Sequence, residues 1–440
     1  MGISFIFIGF LFTLNPMLGL LDVLPDFIGY GLIFAGISRL SMISPEMNDS
    51  LGYFKWAAIV SLARFGVFLG SGSFDETMVL CMTMVFAVIE FGIMLMAMPL
   101  LSDGITYLNI RYSGNTQEDN SLKTVGIVFF AARGFLSVIP KLGALSLGAD
   151  QDGDVVGEKA TVDWAEFSSS LTIANIVLTL VFAAFFLTVL VKCIWKIYKD
   201  DGFISALRQA YADKKQNDPA PFIRRRLIYA FSALAVGAFF LIDLTGDGIN
   251  FLPDIVFAAL SLAALWLLSP YSDKTQKAYI SAGVYTALSV ASFIYYTIFV
   301  KTRYFMTFDK LLIMFPHEYF IAIAFAALEG VSLAVYIKYL IPVLGDVAEN
   351  HVGLLVTDEF VKTKRQNEES VKSLKSKLNI YFYLICALAA SGVAFTATLH
   401  CFPVYWMIHG ALNIAAFVFL RHIISVFTSE INMRYEKPGE

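Results

Sequence analysis

The sequence predicts an all-α fold: a polytopic transmembrane helical bundle of about twelve spans arranged as two six-helix repeats. Three observations predict it: the composition, the spacing of apolar segments, and motifs that recur in order about half a chain apart. Of the 440 residues, 58% are hydrophobic and 15% are charged, with a mean hydropathy of +0.69. A soluble domain carries about 25% charged residues. So much apolar surface requires lipid as a second solvent.

Twelve apolar segments are long enough to be candidate spans. A bilayer core about 30 Å thick needs roughly 20 apolar residues in a helix, and backbone groups in lipid must be satisfied within the segment, which favours helices. The predicted spans are residues 3–21, 25–43, 52–70, 77–99, 122–140, 168–192, 227–243, 251–270, 279–300, 318–341, 378–399 and 402–425.

The distribution of lysine and arginine predicts the orientation, because cytoplasmic loops carry an excess of both. With a cytoplasmic N-terminus, the inner segments hold 25 of the 32 basic residues, the outer loops hold five, and two lie inside spans. We therefore expect a multi-pass protein of the cell membrane with both termini cytoplasmic. The bilayer is the expected partner, and the net charge of −4 gives no reason to expect nucleic acid.

Short motifs recur in order and indicate an internal duplication. Leu24-Pro25-Asp26 recurs as Leu252-Pro253-Asp254, and a Phe-Ala-x-x-Glu motif ends at Glu90 and again at Glu329. A Pro-x-Leu-x-Asp motif at Pro99 recurs at Pro342. The predicted organisation is a first half at 1–192, a basic cytoplasmic linker at 193–226 with an amphipathic helix, and a second half at 227–440 with a cytoplasmic loop at 346–377.

Each half begins with a helical hairpin that is interrupted by polar residues. One interpretation is helix punctuation, since proline followed by aspartate suits the start of a helix. The other is a binding site, because interrupted segments at matching places in two halves point to one in transporters. Asp22, Asp26 and Asp254 would then bind a cation or the cationic part of a substrate. No other cofactor is expected.

The second hairpin also imitates a calcium-binding loop. Asp243 and Asp247 stand at its first and fifth positions, and Asp254 stands at its twelfth. Asparagine at position eight and aspartate rather than glutamate at position twelve depart from the standard loop. Asp243 and Asp247 are therefore candidate ligands of calcium or another hard cation.

The first hairpin also carries a resemblance. The segment DVLPDFIGYGLIFAGISRLS at 22–41 resembles the first hairpin of uncharacterised bacterial multi-pass membrane proteins with an LPDFIGY-type signature. The resemblance implies a bacterial cell-membrane protein and brings no activity with it. The second copy departs from the signature after Leu-Pro-Asp, with Ile255, Val256 and Phe257 in place of Phe-Ile-Gly.

Four ionisable residues inside predicted spans are candidates for binding substrate or ions, because such residues are costly in lipid. From their depth we expect Arg64 to pair with Asp26 and Glu90 to pair with Arg133. Glu329 occupies the place of Glu90 in the second half, where the sequence offers no obvious arginine for it, and is a candidate proton carrier. The alternative is that these groups form structural bonds between helices.

These patterns favour a secondary transporter or flippase that alternates access between two halves to a small-molecule, ion or lipid substrate. No motif for nucleotide binding or hydrolysis occurs in a supporting context, so enzymatic activity is not expected. An enzyme acting on lipid-linked substrates stays open as an alternative. A third alternative is a scaffold or sensor subunit whose basic inner segments contact a protein partner.

Overall fold

The computed structural model describes residues 2–18, 21–22, 24–70, 76–113, 121–148, 164–242, 245–246, 249–250, 254–295, 316–354, 361–398 and 403–435. These residues form two compact units, Met1–Asn217 and Asp218–Glu440. Apart from two short strand pairings, the regular structure of the described residues is helical. The prediction of an all-helical protein is confirmed for this part of the chain.

The first unit is a series of helices in which each helix packs against the next. Its helices are α1 (Gly2–Thr13), α2 (Asp26–Leu40), α3 (Pro45–Gly70), α4 (Glu76–Ser113), α5 (Ser121–Gly148), α6 (Trp164–Lys199) and α7 (Asp201–Asn217). Between α1 and α2, the strands β1 (Met17–Leu18) and β2 (Leu21–Asp22) pair in antiparallel fashion. Helix α1 thus ends just before Asn15-Pro16, where the sequence predicts an interruption.

The second unit repeats this pattern of packing between consecutive helices. It contains α8 (Ala220–Phe239), α9 (Asp254–Leu268), a 3-10 turn (Ser269–Tyr271), α10 (Thr275–Ile294), α11 (Pro316–His351), α12 (Val361–Ala397) and α13 (Pro403–Tyr435). Between α8 and α9, the strands β3 (Thr245–Gly246) and β4 (Ile249–Asn250) pair in antiparallel fashion.

Eight helical segments among the described residues are long and apolar enough to cross a bilayer, as a multi-pass membrane protein requires. They lie in α3, α4, α5, α6, α9, α11, α12 and α13. Helices α1 and α2 have 12 and 15 residues, or about 18 and 22 Å at 1.5 Å per residue, which is less than a bilayer core of about 30 Å. Helix α8 carries three consecutive arginines at 224–226. The expectation of twelve spans is therefore not confirmed.

Two predicted segments differ in extent from the observed elements. Most of the predicted linker at 193–226 is helical, since α6 continues to Lys199 and α8 begins at Ala220, and the expected amphipathic helix is α7. Most of the predicted loop at 346–377 also belongs to helices, because α11 runs to His351 and α12 begins at Val361. Charged residues end an apolar stretch without ending a helix.

Each unit has its own apolar core, in which aromatic rings are prominent. In the first unit, Phe186 stacks on Phe129 with ring centroids 5.2 Å apart and meets Phe10 edge-on at 5.5 Å. In the second unit, Phe231 and Phe427 stack at 4.7 Å. Such pairs add to the stabilisation that comes from burying the rings. In the first unit, this packing positions four buried charged side chains.

Candidate functional site

Asp26 is the first residue of α2 and is fully buried. The preceding Pro25 has a φ of −65°, and it directs the chain out of the hairpin and into the helix. Asn15, at the other end of the break, donates from Nδ2 to Asp26 Oδ1 at 3.0 Å and to the carbonyl of Leu24 at 3.0 Å. The interruption between α1 and α2 therefore holds a carboxylate at a helix N-terminus, where the helix dipole favours a negative charge.

Arg64 of α3 connects this carboxylate to a second one. Its Nη2 donates to Asp26 Oδ2 at 2.8 Å, and its Nη1 donates to Glu90 Oε2 at 2.6 Å. Arg64 is only 1% exposed, although it is one of the largest side chains in the unit. A planar guanidinium suits this role because its N–H groups can serve two carboxylates at once.

Arg133 of α5 makes the same two connections from another helix. Its Nη1 donates to Glu90 Oε1 at 3.4 Å, and its Nη2 donates to Asp26 Oδ2. The hydroxyl of Tyr30, one turn after Asp26 on α2, also donates to Glu90 Oε1. We call Asp26, Arg64, Glu90 and Arg133 the charge ring, since each carboxylate contacts both guanidiniums.

The charge ring is electroneutral and secluded, and it links α2, α3, α4 and α5. All four side chains are buried, and Glu90, the most exposed of them, reaches only 6%. Removing four charges from water is expensive, and their mutual attraction offsets that cost only where geometry and hydrogen bonding are favourable. Each of the four groups meets charged partners on two sides, so the geometry here supplies that compensation.

The two ion pairs expected from the sequence, Arg64 with Asp26 and Glu90 with Arg133, are both present. The crossed pairs, Arg64 with Glu90 and Arg133 with Asp26, were not expected. Sequence reasoning also missed Tyr30 as a partner of Glu90. Its spacing of four from Asp26 was an available signal, since residues i and i+4 share a helix face.

The other predicted site residues do not belong to the charge ring. Asp254 begins α9, and Glu329 lies half-buried on α11, both in the second unit. The backbone of Asp22 pairs with that of Met17, and its side chain lies outside the described residues. Asp243 and Asp247 also lie outside them, which leaves the predicted calcium loop untested. Within the described ranges, no group of three or more His, Cys, Asp or Glu residues could hold a metal ion.

Comparisons of this chain with protein-family models, with curated proteins and with solved structures gave no match. Its function is therefore argued from its own residues and their geometry.

Proposed function

We propose that the protein is a secondary transporter or flippase of the cell membrane, that it works by alternating access, and that both termini are cytoplasmic. The observation that carries this proposal is the charge ring at the interruption between α1 and α2. Ionisable residues inside membrane segments are rare, and they commonly mark substrate or ion pathways. Interrupted helices that bring charged or backbone groups to one place form the binding sites of many transporters.

The chemistry of the ring favours a substrate with an anionic group. Two arginines, held parallel to nothing but carboxylates, can exchange one carboxylate for another or for a phosphate, because guanidiniums bind both in a bidentate manner. Protonation of Asp26 or Glu90 would leave the two arginines in excess by one charge. The ring would then attract an anion, which couples proton uptake to substrate binding.

A duplication of the two units supports the alternating-access part of the proposal. The strand pairings Met17–Asp22 and Thr245–Asn250 occur at the same offset of 228 residues. The 15-residue helices α2 and α9 both begin with aspartate at that offset.

Two further positions agree with this duplication. Gly9 of α1 and Gly237 of α8, also 228 residues apart, each face the helix that follows the hairpin. Pro99 and Pro342 both lie inside long helices, α4 and α11, without ending them. These matches place the same backbone features at the same steps of both units.

The proposed duplication has diverged at the charge ring. At the offset of 228 residues, Ser292 of α10 stands in the place of Arg64, while Asp254 retains the place of Asp26. Only the first unit therefore combines the aspartate with an arginine on the following pair of helices. We assign the anion-binding role to the first unit, and we keep Asp22, Asp254 and Glu329 as candidate coupling groups.

Reconstitution into proteoliposomes tests this function. Labelled carboxylates, phosphate esters and lipid-linked anions are offered with and without an imposed pH gradient, and protein-free liposomes serve as the control. We expect saturable flux of at least one anionic class, enhanced by the gradient. Absence of flux for every class, from protein shown to be folded, would contradict the proposal.

A further inference from the structure

The junction of α6 and α7 has the features of a membrane–water interface. The candidate span Ser170–Lys199 ends with Trp195 and Tyr198, whose side chains are 71% and 45% exposed, beside Lys196 and Lys199. Tryptophan, tyrosine and lysine concentrate at the level of the lipid headgroups. Helix α7 begins at Asp201 and therefore starts at that level.

Helix α7 has the two faces of a helix that lies along a membrane surface. Phe203 and Leu207 are buried in the core of the first unit, against α4 and α6, whereas Arg208, Lys214 and Lys215 are exposed. An amphipathic helix with a basic outer face is typical of interfacial segments. Residues 192–217 contain six basic and three acidic side chains, so this end of the unit is net positive.

A cleft of about 610 Å³ runs along one flank of α7. It is lined by Tyr198, Asp201, Ile204, Ser205, Arg208, Gln209 and Ala212. Arg208, Gln209 and Ser205 supply N–H and O–H donors, and Ile204 and Ala212 supply an apolar wall. In the described part of the chain, no ion pair joins Arg208 to a carboxylate. Asp201 lies two turns before Arg208, roughly 10 Å away along the helix.

We propose that this cleft binds the headgroup of an anionic phospholipid, phosphatidylglycerol in particular. Arg208 and Gln209 would donate to the phosphate, and Asp201 would accept from the glycerol hydroxyls at the other end of the cleft. The position of Tyr198 is fixed by a hydrogen bond to Ser4 at the start of α1, so it forms a rigid wall beside the acyl chains. This proposal does not depend on transport activity.

Two variants of full-length protein separate a headgroup site from a basic surface. Arg208→Gln removes the charge that lines the cleft, and Lys214→Gln removes one charge from an exposed position of α7 outside the cleft. Thermal unfolding is followed in phosphatidylcholine vesicles that contain increasing fractions of phosphatidylglycerol. One basic residue near an anionic surface contributes about 1 kcal/mol, which corresponds to about fivefold in apparent affinity.

We expect phosphatidylglycerol to stabilise the wild-type protein and Lys214→Gln to a similar extent. Arg208→Gln should require about fivefold more of the lipid, or more still. Equal responses of the two variants would overturn the proposal in favour of a diffuse basic surface. Equal stabilisation by phosphatidylethanolamine or by inorganic phosphate would also overturn it, since the first shows no need for an anionic lipid and the second shows a site for soluble anions.

Discussion

Each residue of the charge ring is stabilised by two oppositely charged partners, which makes the effect of a single substitution severe. Arg133 contacts both Asp26 and Glu90, and its removal leaves three charges with a net negative sum inside a buried site. The penalty arises mainly from the remaining uncompensated charge rather than from the lost contact. A second, neutralising substitution should therefore restore part of what the first one removes.

We predict that Arg133→Gln destabilises the protein by about 3–5 kcal/mol, the range for breaking a buried ion pair from one side. The double variant Glu90→Gln/Arg133→Gln should be more stable than the sum of the two single effects implies, because Asp26 and Arg64 remain as a neutral pair. Thermal unfolding in detergent measures the four proteins of this double-mutant cycle.

Arg111→Gln is the matched control, because Arg111 is exposed at the end of α4 and packs on Tyr107 and Tyr112. We expect its stability to change by less than about 1 kcal/mol. Additive effects of Glu90→Gln and Arg133→Gln would contradict the geometry of the ring.

At the scale of single residues, depth along predicted spans was sufficient to propose two of the ion pairs. Position along a span gives the height of a side chain in the membrane but not the direction in which it points around the helix bundle. For this reason the crossed contacts of Arg64 and Arg133, and the hydroxyl of Tyr30, depended on knowing how α2 to α5 are arranged.

The hairpin of α1 and α2 depends on close approach of the two helices through glycines. A Cβ atom added at Gly29 would lie 2.7 Å from the carbonyl oxygen of Gly9, and one added at Gly9 would lie 2.5 Å from that of Gly29. Gly2 and Gly36 make the same kind of contact nearer the other end of the pair. Small residues allow this approach in membrane helices, and the approach places Asn15 beside Asp26.

We predict that Gly29→Ala destabilises the protein by about 1–3 kcal/mol, because the added methyl group forces the helix backbones apart. Gly31→Ala, on the same helix, is the control, since a Cβ atom there has no neighbour within 4 Å. Thermal unfolding of both variants provides the comparison. Equal stability of the two would show that α1 and α2 do not pack as closely as described.

The start of α7 is held by Asp200, and this contact predicts a pH dependence. Its Oδ1 accepts from the backbone N–H of Phe203 at 2.9 Å, and its Oδ2 accepts from the hydroxyl of Ser113 at 2.8 Å. These hydrogen bonds, the backbone one above all, hold the pKa of Asp200 below its usual value. A lowered pKa means that the contribution is present above the usual aspartate pKa and is lost as the pH falls through the folded-state value.

We therefore expect Asp200→Ala to lower the unfolding temperature at neutral pH, and the difference from wild type to shrink as the pH falls from 7 to 3. Asp200→Asn is the companion variant, because it can still accept from Phe203 but does not titrate. A difference between wild type and Asp200→Ala that stays constant across this range would exclude the proposed role of the carboxylate.

At the scale of elements, hydropathy located the apolar parts of the helices better than it located their ends. Helix α3 begins at Pro45, seven residues before the predicted span, where the hydroxyl of Ser44 accepts from the N–H of Met47 at 3.3 Å. Helix α4 continues through Pro99 to Ser113. Polar residues leave the lipid at these places while the helix continues, and a hydropathy pattern does not report that difference.

At the scale of the whole molecule, the proposed topology returns both ends of the chain to the same side of the membrane. Helices α1 and α2 form a hairpin, so this pair returns the chain to its starting side whether or not it crosses the full bilayer. The four long candidate spans of the first unit, in α3 to α6, are also even in number. Asn217, the last residue of α7, is thus expected on the side of the N-terminus.

Labelling with an impermeant maleimide tests this arrangement in intact and permeabilised cells. A single cysteine is placed at Asn217 in a protein whose four native cysteines are replaced by serine, and a second protein carries one at Glu430, which is exposed or half-exposed on α13. We expect both to react only after permeabilisation. Reaction of either cysteine in intact cells would contradict the predicted orientation.

The central claim is that the charge ring handles an anionic substrate, and flux through a ring variant that keeps electroneutrality tests it most directly. Asp26→Asn/Arg64→Gln removes one charge of each sign and leaves Glu90 with Arg133. In proteoliposomes, we predict proton-stimulated anion flux from the wild-type protein and from Arg111→Gln, and loss of most of that flux from the folded double variant. Wild-type flux from the folded double variant would show that the ring only stabilises the fold and would contradict the claim.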